Sequence, residues 1–428
     1  MQYIWQWRLY GEPDKALTDG RAVRIVNPGT LNTASGPDFF NARIDIEGMC
    51  WAGNVELHVK ASDWQRHGHD KDMSYDSVIL HVVGLSDTHV SRSDGSQIPQ
   101  LLLPFNKQTA DMYESLTHGK AAIRCGHKTA DMPRLHLRDW IERAGMERLT
   151  IKSDRLRGYV DEAGGNWNQG LFIMLARALG FSLNGEPLER LARSLPLNII
   201  AKYADSRLQI EALLMGLAGL LNGDPPAGDN GYYISLRDEY SFLAHKHNLS
   251  SLPSSIWKMS GARPSNLPQR KLAHLAVLLQ NIQSLFSSLI AARGDLERLI
   301  PLFQVEFDGY WERHFTFGPE TAHSYKNAIS DDMTRVLLIN VVAPLYHAYG
   351  CYTGDYELQE MAQSLLCSLP AERNSIMKMW ASVASLTPEN AFESQALIHI
   401  KREYCERHEC LRCRMGHKLL RVTAHSRK

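Results

Sequence analysis

Four residues on two neighbouring segments have the types and spacing needed for metal-dependent hydrolysis. Asp38 begins one run of alternating apolar residues, and Glu56, His58 and Lys60 occupy every second position of the next. Side chains alternate along a strand, so these three share one face. Two carboxylates and substrate oxygens suit Mg²⁺ or Mn²⁺, which activates a bound water, while a neighbouring cation stabilises developing charge. We predict Asp38 and Glu56 as ligands of Mg²⁺ or Mn²⁺, and all four residues as catalytic. The alternative is a solvated sheet face on which Glu56 pairs with Lys60 or Arg43.

Histidines are concentrated around this segment. His58, His67, His69, Asp70 and His81 fall within about two dozen residues. Imidazole and carboxylate groups suit Zn²⁺, Mn²⁺ or Fe²⁺, so one interpretation is a second metal site. Another is that one histidine acts as a general base or binds phosphate. The alternative is a loop of solvated histidines, with His81 a hydrogen-bonded core residue, which is the interpretation we favour for His81.

Three cysteines near the end of the sequence have metal-ligand spacing. Cys405, Cys410 and Cys413 are separated by four and then two residues. Three thiolates and one further ligand would complete a Zn²⁺ site, our first expectation, or hold an iron–sulfur cluster. The candidates for the fourth ligand are His417, His408 and the remote Cys125.

The elements that must position these residues differ along the chain. Hydrophobic periodicity predicts the order helix, strand, strand, strand, helix, strand before residue 125 and helices from about residue 134 onward. The fold class expected is α+β, with three parts: a β-rich or mixed α/β, nuclease-like domain (1–130), a large all-α domain (131–400) and a short basic, Cys-containing tail (401–428). The strands are expected at Ala22–Val26, Phe39–Ile46, Cys50–Lys60 and Val78–Val83, with weaker ones near Thr88–Arg92 and Gln97–Leu103.

The composition restricts the class of protein. The 428 residues include 47 Lys and Arg against 47 Asp and Glu, so no overall charge indicates a nucleic-acid or membrane partner. The seven cysteines are an odd number and mostly scattered, which favours a reducing compartment. The N-terminus has no signal-peptide pattern, and no run of about 18 apolar residues suggests a membrane span. We expect a cytoplasmic protein without a membrane partner.

Two of these motifs, in this element order, resemble a known class of enzyme. Pro37-Asp38 and Glu56-x-His58 are similar to the PD-(D/E)-x-K nuclease superfamily, in which Pro-Asp opens the second core strand and Glu-x-Lys lies on the third. The resemblance implies metal-dependent cleavage of DNA or RNA. This chain has His58 where the superfamily has lysine, so either His58 replaces the lysine or Lys60 reaches the same pocket. Some RecB-like nucleases in this class carry an iron–sulfur staple of three C-terminal cysteines and one remote cysteine.

Taken as a whole, the chain resembles a bacterial family known as domain-of-unknown-function family 2851. The likeness implies a two-part architecture and no established activity. It spans nearly the full chain and rests on Tyr3-Ile4-Trp5, Asn27-Pro28-Gly29, the segments 36–43 and 51–58, Ser62-Asp63-Trp64, 79–83, Arg263-Pro264-x-Asn266-x-Pro268, 394–397 and the tail from Cys405 to Gly416.

Two functions from different classes follow from these patterns. The first is a metal-dependent nuclease, or a nuclease-derived protein that binds DNA or RNA. The second is a non-catalytic scaffold that binds a partner and has a zinc-stapled C-terminus. The patterns predict nothing about substrate or oligomeric state.

Overall fold

The computed structural model describes residues 1–103, 107–129, 131–227, 231–261, 263–304, 309–322 and 329–425. The chain forms two compact units, and the division is not collinear with the sequence. One unit comprises Met1–Trp140, Val383–Ser385 and Ile400–Lys428, and the other comprises Ile141–Ser382 and Leu386–His399. The segment expected as a separate third domain therefore belongs to the same unit as the N-terminal sheet.

The first unit is built on a seven-stranded mixed sheet. Its strands are β1 (Asp14–Ala16), β2 (Ala22–Asn27), β3 (Thr30–Leu31), β4 (Phe39–Ile46), β5 (Met49–Lys60), β6 (Val78–Leu85) and β7 (Gln100–Leu102). The order across the sheet is β1-β2-β4-β5-β6-β7, with β3 added to β4. Pairing is antiparallel up to β5, whereas β5, β6 and β7 run parallel.

The turn between β4 and β5 has the geometry that the sequence predicts. Glu47 and Gly48 both adopt positive φ, 53° and 84°. Two consecutive left-handed residues form a type I′ turn, which matches the twist of a two-stranded hairpin. This turn fixes the register in which Ala42 faces Gly53. A bulge between Phe39 and Ala42 then shifts the pairing by one residue, so that Phe39 faces Val55 and Asp38 lies beside Glu56.

Short helices flank the sheet in the expected order. The helices are α1 (Gln2–Gln6), α2 (Asp63–Arg66), α3 (Lys107–His118) and α4 (Gly126–Thr129). The succession α1, β2, β4, β5, α2, β6 confirms the predicted element order, with the short strands β1 and β3 added. The weak strand expected near Thr88–Arg92 is wrong, because this stretch makes only an isolated bridge between Ser91 and Gln97.

The core of this unit lies mainly between the sheet and α1. Trp5 of α1 is fully buried against Phe39, Ile44 and Val55, and its indole N–H donates to the carbonyl oxygen of Pro28 at 2.9 Å. A second, smaller cluster centres on Trp64 of α2 with Val78, Val90 and Ile98.

The second unit is helical throughout its described part. Its core is one continuous cluster of leucine, isoleucine and aromatic side chains. The helix expected over Gln269–Ala292 is two helices that meet at Asn281. The helices are α5 (Arg134–Glu162, which begins in the first unit), α6 (Trp167–Leu179), α7 (Phe181–Ser194), α8 (Leu197–Ile200), α9 (Arg207–Leu217), α10 (Gly231–His247), α11 (Pro268–Gln280), α12 (Ile282–Ala292), α13 (Leu296–Leu299), α14 (Asp331–Leu337), α15 (Ala343–Thr353), α16 (Tyr356–Ser368), α17 (Ser375–Ala384, which ends in the first unit) and α18 (Ala391–His399).

Among the described residues, no single helix is both long and apolar enough to cross a membrane. The helices α11 and α12, which are bent by 78°, meet the length and composition criteria only as a pair.

The last part of the chain returns to the first unit. A π-helical segment, Ile400–Cys405, precedes a short irregular stretch and helix α19 (Arg414–His425). Helix α19 packs on α3. Tyr3 of α1 donates its hydroxyl to the carbonyl oxygen of Leu411 at 3.0 Å, which ties the stretch before α19 to the N-terminal helix.

Candidate functional site

The candidate site lies on adjacent positions of the parallel strands β5 and β6. Glu56 and His58 alternate on β5, and Glu56 stands directly opposite His81 of β6. Only 6% of Glu56, 7% of His58 and none of His81 is exposed. Three titratable side chains buried together on one face need polar partners, because an isolated buried charge is costly.

Asp38 braces the hairpin beside Glu56. Its backbone N–H donates to Oε2 of Glu56 at 2.9 Å, and its Oδ2 accepts from the backbone N–H of Leu57 at 2.9 Å. The side-chain amide of Gln2 donates to the other carboxylate oxygen of Asp38. The structure thus brings Asp38 and Glu56 together, as two neighbouring carboxyl groups in which Asp38 already has protein partners for both oxygens.

A tight turn after β5 returns two histidines to the strand they follow. Helix α2 ends at Arg66, His67 terminates it, and His69 lies in the 3₁₀ turn that follows. Gly68 between them has φ 76°, a left-handed conformation that costs glycine little and other residues more. This reversal places both imidazoles against His58.

The ligand atoms of these residues converge. Nε2 of His58 is 3.1 Å from Nδ1 of His67, and the ligand nitrogens of His58, His67 and His69 all lie within 4.8 Å of one another. Oε1 of Glu56 lies 3.7 Å from Nε2 of His58 and 3.6 Å from Nε2 of His69. Two ligands each about 2.1 Å from one ion would stand about 3.0–3.4 Å apart, so these spacings approximate the edges of a coordination polyhedron.

The far nitrogen of His58 is held by His81. Nδ1 of His58 lies 2.9 Å from Nε2 of His81. If His58 ligates an ion through Nε2, its Nδ1 carries the proton and donates to His81, which is the usual way in which a ligating imidazole is oriented. His81 is buried as we expected, but it lies behind the cluster and contacts it directly.

Aromatic side chains enclose the remaining sides. The indole of Trp64 meets the rings of His58, His69 and His81 with centroids 5.2–6.4 Å apart. The ring of Tyr75 stacks on His69 at 3.8 Å. His67 alone among the three histidines of the cluster is exposed, so it forms the solvent side of the cluster.

Burial decides the protonation of this cluster. Desolvation, and then the nearby Asp38, raise the pKa of Glu56 to about 8. Desolvation and the neighbouring His69 and His67 lower the pKa of His58 to about 4, and desolvation and His58 lower that of His81 to about 3. At neutral pH both imidazoles are uncharged and have lone pairs to offer, whereas the Glu56 carboxyl retains its proton.

Lys60 does not join the cluster. It is the last residue of β5 and is exposed. Its backbone N–H donates to Asp63 at 3.3 Å, and its ammonium lowers the pKa of Asp87 as a minor contribution beside the hydrogen bonds from Ser62. Among the described contacts none joins the Lys60 side chain to Glu56, so the position two residues beyond His58 faces solvent.

The cysteines of the tail meet a cysteine from elsewhere in the same unit. Cys125, Cys405, Cys410 and Cys413 line one cavity. His417 is outside this lining and instead meets the rings of Tyr3 and Trp7, with centroids 6.4 and 5.4 Å apart. His408 is exposed at a positive φ of 59°. Of the three alternatives for a fourth ligand, the structure brings Cys125 to the cavity.

The sequence left open whether the histidines form a second metal site or assist the carboxylate pair, and the structure places His67 and His69 against His58 and Glu56. The signal that could have joined them is the parallel crossover. A connection of only 17 residues, 61–77, must return over the face that carries Glu56 and His58 before it enters β6. His67 and His69 lie near its middle.

Comparison with known proteins gives a family for the chain and no activity. No curated protein and no solved structure matches it. A family model described as "Protein of unknown function (DUF2851)" matches residues 1–375, a range that includes the histidine cluster and Cys125 and ends before the other three cysteines. By this match over most of its length, the chain belongs to the DUF2851 family.

Proposed function

We propose that this protein is a metal-dependent hydrolase of phosphodiesters, of the nuclease class, with its metal ion held by His58, His67 and His69 together with Glu56. The observation that carries the proposal is the convergence of three imidazole nitrogens and one carboxylate oxygen, with neighbouring atoms 3.1–3.7 Å apart. Two of the three histidines, His58 and His69, are buried, and the exposed His67 completes a group whose ligand nitrogens all lie within 4.8 Å of one another.

The ligand types indicate which ion the site takes. Neutral imidazoles suit Zn²⁺, Mn²⁺ or Fe²⁺, whereas Mg²⁺ prefers oxygen ligands and retains its water. Mn²⁺ and Zn²⁺ are therefore the ions to test first, and the Mg²⁺ expected from Asp38 and Glu56 alone is disfavoured by the three nitrogens. In this arrangement Asp38 positions Glu56 through its backbone N–H and leaves coordination to the other residues.

Phosphodiesters are favoured as substrates by two features. The succession α1, β2, β4, β5, α2, β6, with Asp38 before β4 and Glu56 on β5, is the arrangement that resembles the nuclease core. Three exposed cationic side chains, Lys60, Arg66 and Lys71, follow or interleave with the histidine ligands in the chain. Cations beside a metal ion suit a substrate whose backbone is anionic.

Each group has a chemical task in this proposal. A bound ion supplies a water of lowered pKa and polarises a phosphate oxygen. His81 holds the Nδ1 proton of His58, Trp64 excludes water from the buried side, and the exposed His67 leaves that side open for substrate. Arg66, whose guanidinium lies 3.4 Å from Nε2 of His67, is placed to contact a substrate phosphate.

Hydrolysis of single- and double-stranded DNA, RNA and bis(p-nitrophenyl) phosphate by the full chain, with Mn²⁺, Zn²⁺ or Mg²⁺ added to chelator-treated protein, tests this function. We expect cleavage with Mn²⁺ or Zn²⁺, and a loss of at least about 100-fold in the variants His69→Ala and Glu56→Gln. His89→Ala, which alters an exposed histidine of the same unit, is the matched control and should retain full activity.

The experiment tests the metal site and the hydrolytic reaction separately. Cleavage that survives unchanged in His69→Ala and Glu56→Gln would remove the catalytic assignment. Tight binding of Mn²⁺ or Zn²⁺ without cleavage of any of these substrates would retain the metal site and overturn the reaction class.

A further inference from the structure

Four cysteines from two distant parts of the chain line one buried cavity within the first unit. Cys125 precedes α4, Cys405 ends the π-helical segment, and Cys410 and Cys413 lie between that segment and α19. Cys125, Cys410 and Cys413 are at most 8% exposed. Burial first, and then the thiols of Cys413, Cys405 and Cys410, raise the pKa of Cys125, which shows that all three other sulfurs are near it.

Burial raises the pKa of all four thiols in the cavity, and a few nearby donor groups oppose this rise. The Arg124 guanidinium lowers the pKa of Cys410 against the larger effect of burial, and its Nη1 donates to the carbonyl oxygens of Leu116 and Thr117 at 2.9 Å each. The backbone N–H groups of Gly416 and Met415 and the side chain of Trp140 lower the pKa of Cys413 against the larger effect of burial. Hydrogen bonds to ligating sulfurs are a regular part of thiolate metal sites, because they disperse the charge of the centre.

Gly416 shows that the backbone is closed tightly around this cavity. A Cβ built at this position would lie 2.0 Å from the carbonyl oxygen of Cys410, which no real contact permits. The first turn of α19 can therefore approach the Cys410 backbone only with glycine at 416.

The sulfurs are spread more widely than the ligands of one ion. Among the described residues, His58, His67 and His69 form the only group of three or more His, Cys, Asp or Glu side chains whose ligand atoms all lie within 4.8 Å of one another, so no three of the four cysteine sulfurs do. Four thiolates around one Zn²⁺ at 2.3 Å would stand only about 3.8 Å apart. A cubane cluster holds its four thiolates at its corners and spaces them more widely.

We propose that Cys125, Cys405, Cys410 and Cys413 hold a [4Fe–4S] cluster that fastens the segment 400–425 to the rest of the first unit. The cluster is structural in this proposal, since its four iron atoms all have protein ligands and none is left for substrate. It is independent of the histidine site, because the two sites have no ligand residue in common.

The test uses the full chain, expressed with iron supplementation and purified without oxygen. We expect about four iron atoms and about four acid-labile sulfides per chain, with broad visible absorption that dithionite or air bleaches. Cys125→Ser and Cys413→Ser should each lose most of this iron and absorption. Cys50→Ser, which changes an exposed cysteine of the same unit, should retain both.

Other results would overturn the proposal in distinct ways. About one zinc per chain, lost in Cys125→Ser and retained in Cys50→Ser, would replace the cluster with a single ion. Protein with neither metal, or iron that persists in both Cys125→Ser and Cys413→Ser, would remove the four-cysteine centre. If Cys413→Ser fails to fold, the milder His417→Ala gives the decisive comparison: iron should remain, because His417 lies outside the cavity.

Discussion

The first unit contains two sets of metal-ligand side chains that differ in composition, spacing and origin. The histidine cluster takes Glu56, His58, His67 and His69 from a single stretch of 14 residues, and its nitrogens lie within 4.8 Å of one another. The cysteine cavity takes one residue from position 125 and three from the last tenth of the sequence, and no three of its sulfurs are so close.

In the two proposals above, this difference separates an ion-sized site for catalysis from a larger site for stability. The histidine cluster has a neutral, hard-to-intermediate ligand set with an exposed edge at His67, which suits a single ion and a substrate. The cysteine cavity is soft, more enclosed and surrounded by hydrogen-bond donors. A centre that joins residues so far apart in sequence stabilises mainly by restricting the unfolded chain.

The largest expected effect is that a variant of either site loses the metal of that site and keeps the metal of the other. His69→Ala should weaken Mn²⁺ or Zn²⁺ binding by more than about 100-fold, since it removes a ligand and leaves Glu56 with one fewer partner. The same variant should retain the iron content of the wild type. Isothermal titration calorimetry and metal analysis on each variant measure both quantities.

Cys125→Ser should give the opposite result in the same pair of measurements. Iron should fall to a small fraction, and the affinity of the histidine cluster for Mn²⁺ should change by less than about twofold. Loss of both metals in either variant would mean that formation of one site depends on the other, and the two sites would not be independent.

The next largest effect concerns the backbone around the cysteine cavity. Gly416→Ala places a methyl group 2.0 Å from the carbonyl oxygen of Cys410, so the first turn of α19 must shift. We expect a destabilisation of about 3 kcal/mol, within the range for strained core substitutions, with a parallel loss of iron. Denaturant unfolding followed by circular dichroism measures the change.

Gly158→Ala is the matched control for this substitution. Gly158 lies within α5, and a Cβ there meets nothing within 4 Å. Alanine is the better helix former, so this variant should gain about 0.5–1 kcal/mol. A Gly416→Ala protein as stable and as iron-rich as the wild type would show that the cavity does not need this close approach.

The amount that the sequence predicted differs between the two sites for a physical reason. Strand alternation and the Glu47-Gly48 turn are local signals, and they predict the hairpin and the shared face of Glu56 and His58. The bulge between Phe39 and Ala42, which sets Phe39 opposite Val55, was not predicted. Lys60 follows the same alternation, yet it ends the strand and faces solvent, because alternation gives a face and not the depth to which that face is covered. The strand face at Glu56 and His58 is buried by the crossover connection, which carries Trp64 and His69.

The partner of the cysteine tail could not be derived from local pattern. Cys125 lies some 280 residues before Cys405, and the three residues considered for the fourth ligand, two histidines and one cysteine, are all of metal-ligating types. Only the tertiary structure brings residues 125 and 405–413 into one unit. Helix α19 lies in the tail, for which the sequence patterns predicted a metal site and no helix.

A smaller effect is expected behind the histidine cluster. His81→Asn removes the ring nitrogen that lies 2.9 Å from Nδ1 of His58, so the ligating tautomer of His58 loses its acceptor. Affinity for Mn²⁺ or Zn²⁺ should fall about 10–100-fold, the range seen when such outer partners are altered. Calorimetric titration of His81→Asn and of the control His89→Ala gives the ratio, and equal affinities would make His81 a core residue without a role in the site.

The smallest expected effect is a pH dependence of metal affinity at the histidine cluster, caused by the proton that Glu56 carries. The pKa of Glu56 is raised to about 8, chiefly by burial, so at pH 7 an incoming ion must displace its proton. Affinity of the histidine cluster should therefore rise about tenfold per pH unit from pH 6.5 and level off above about pH 8. In Glu56→Gln this slope should disappear, whereas Glu47→Gln in the exposed hairpin turn should retain it.

In the metal-free protein, Glu56 should give stability a pH dependence opposite to that of metal affinity: stability should fall as pH rises. A carboxyl whose pKa is raised from 4.5 to about 8 on folding binds its proton more tightly in the native state. Stability from this group is therefore complete below pH 4.5 and is lost as pH rises through about 8. His58, with its pKa lowered to about 4, acts mainly below pH 6.5, so the window from pH 6.5 to 8 isolates Glu56. Over that window the melting temperature of the metal-free wild type should fall relative to Glu56→Gln, and a metal-free wild type that tracks Glu56→Gln would place the proton elsewhere in the cluster.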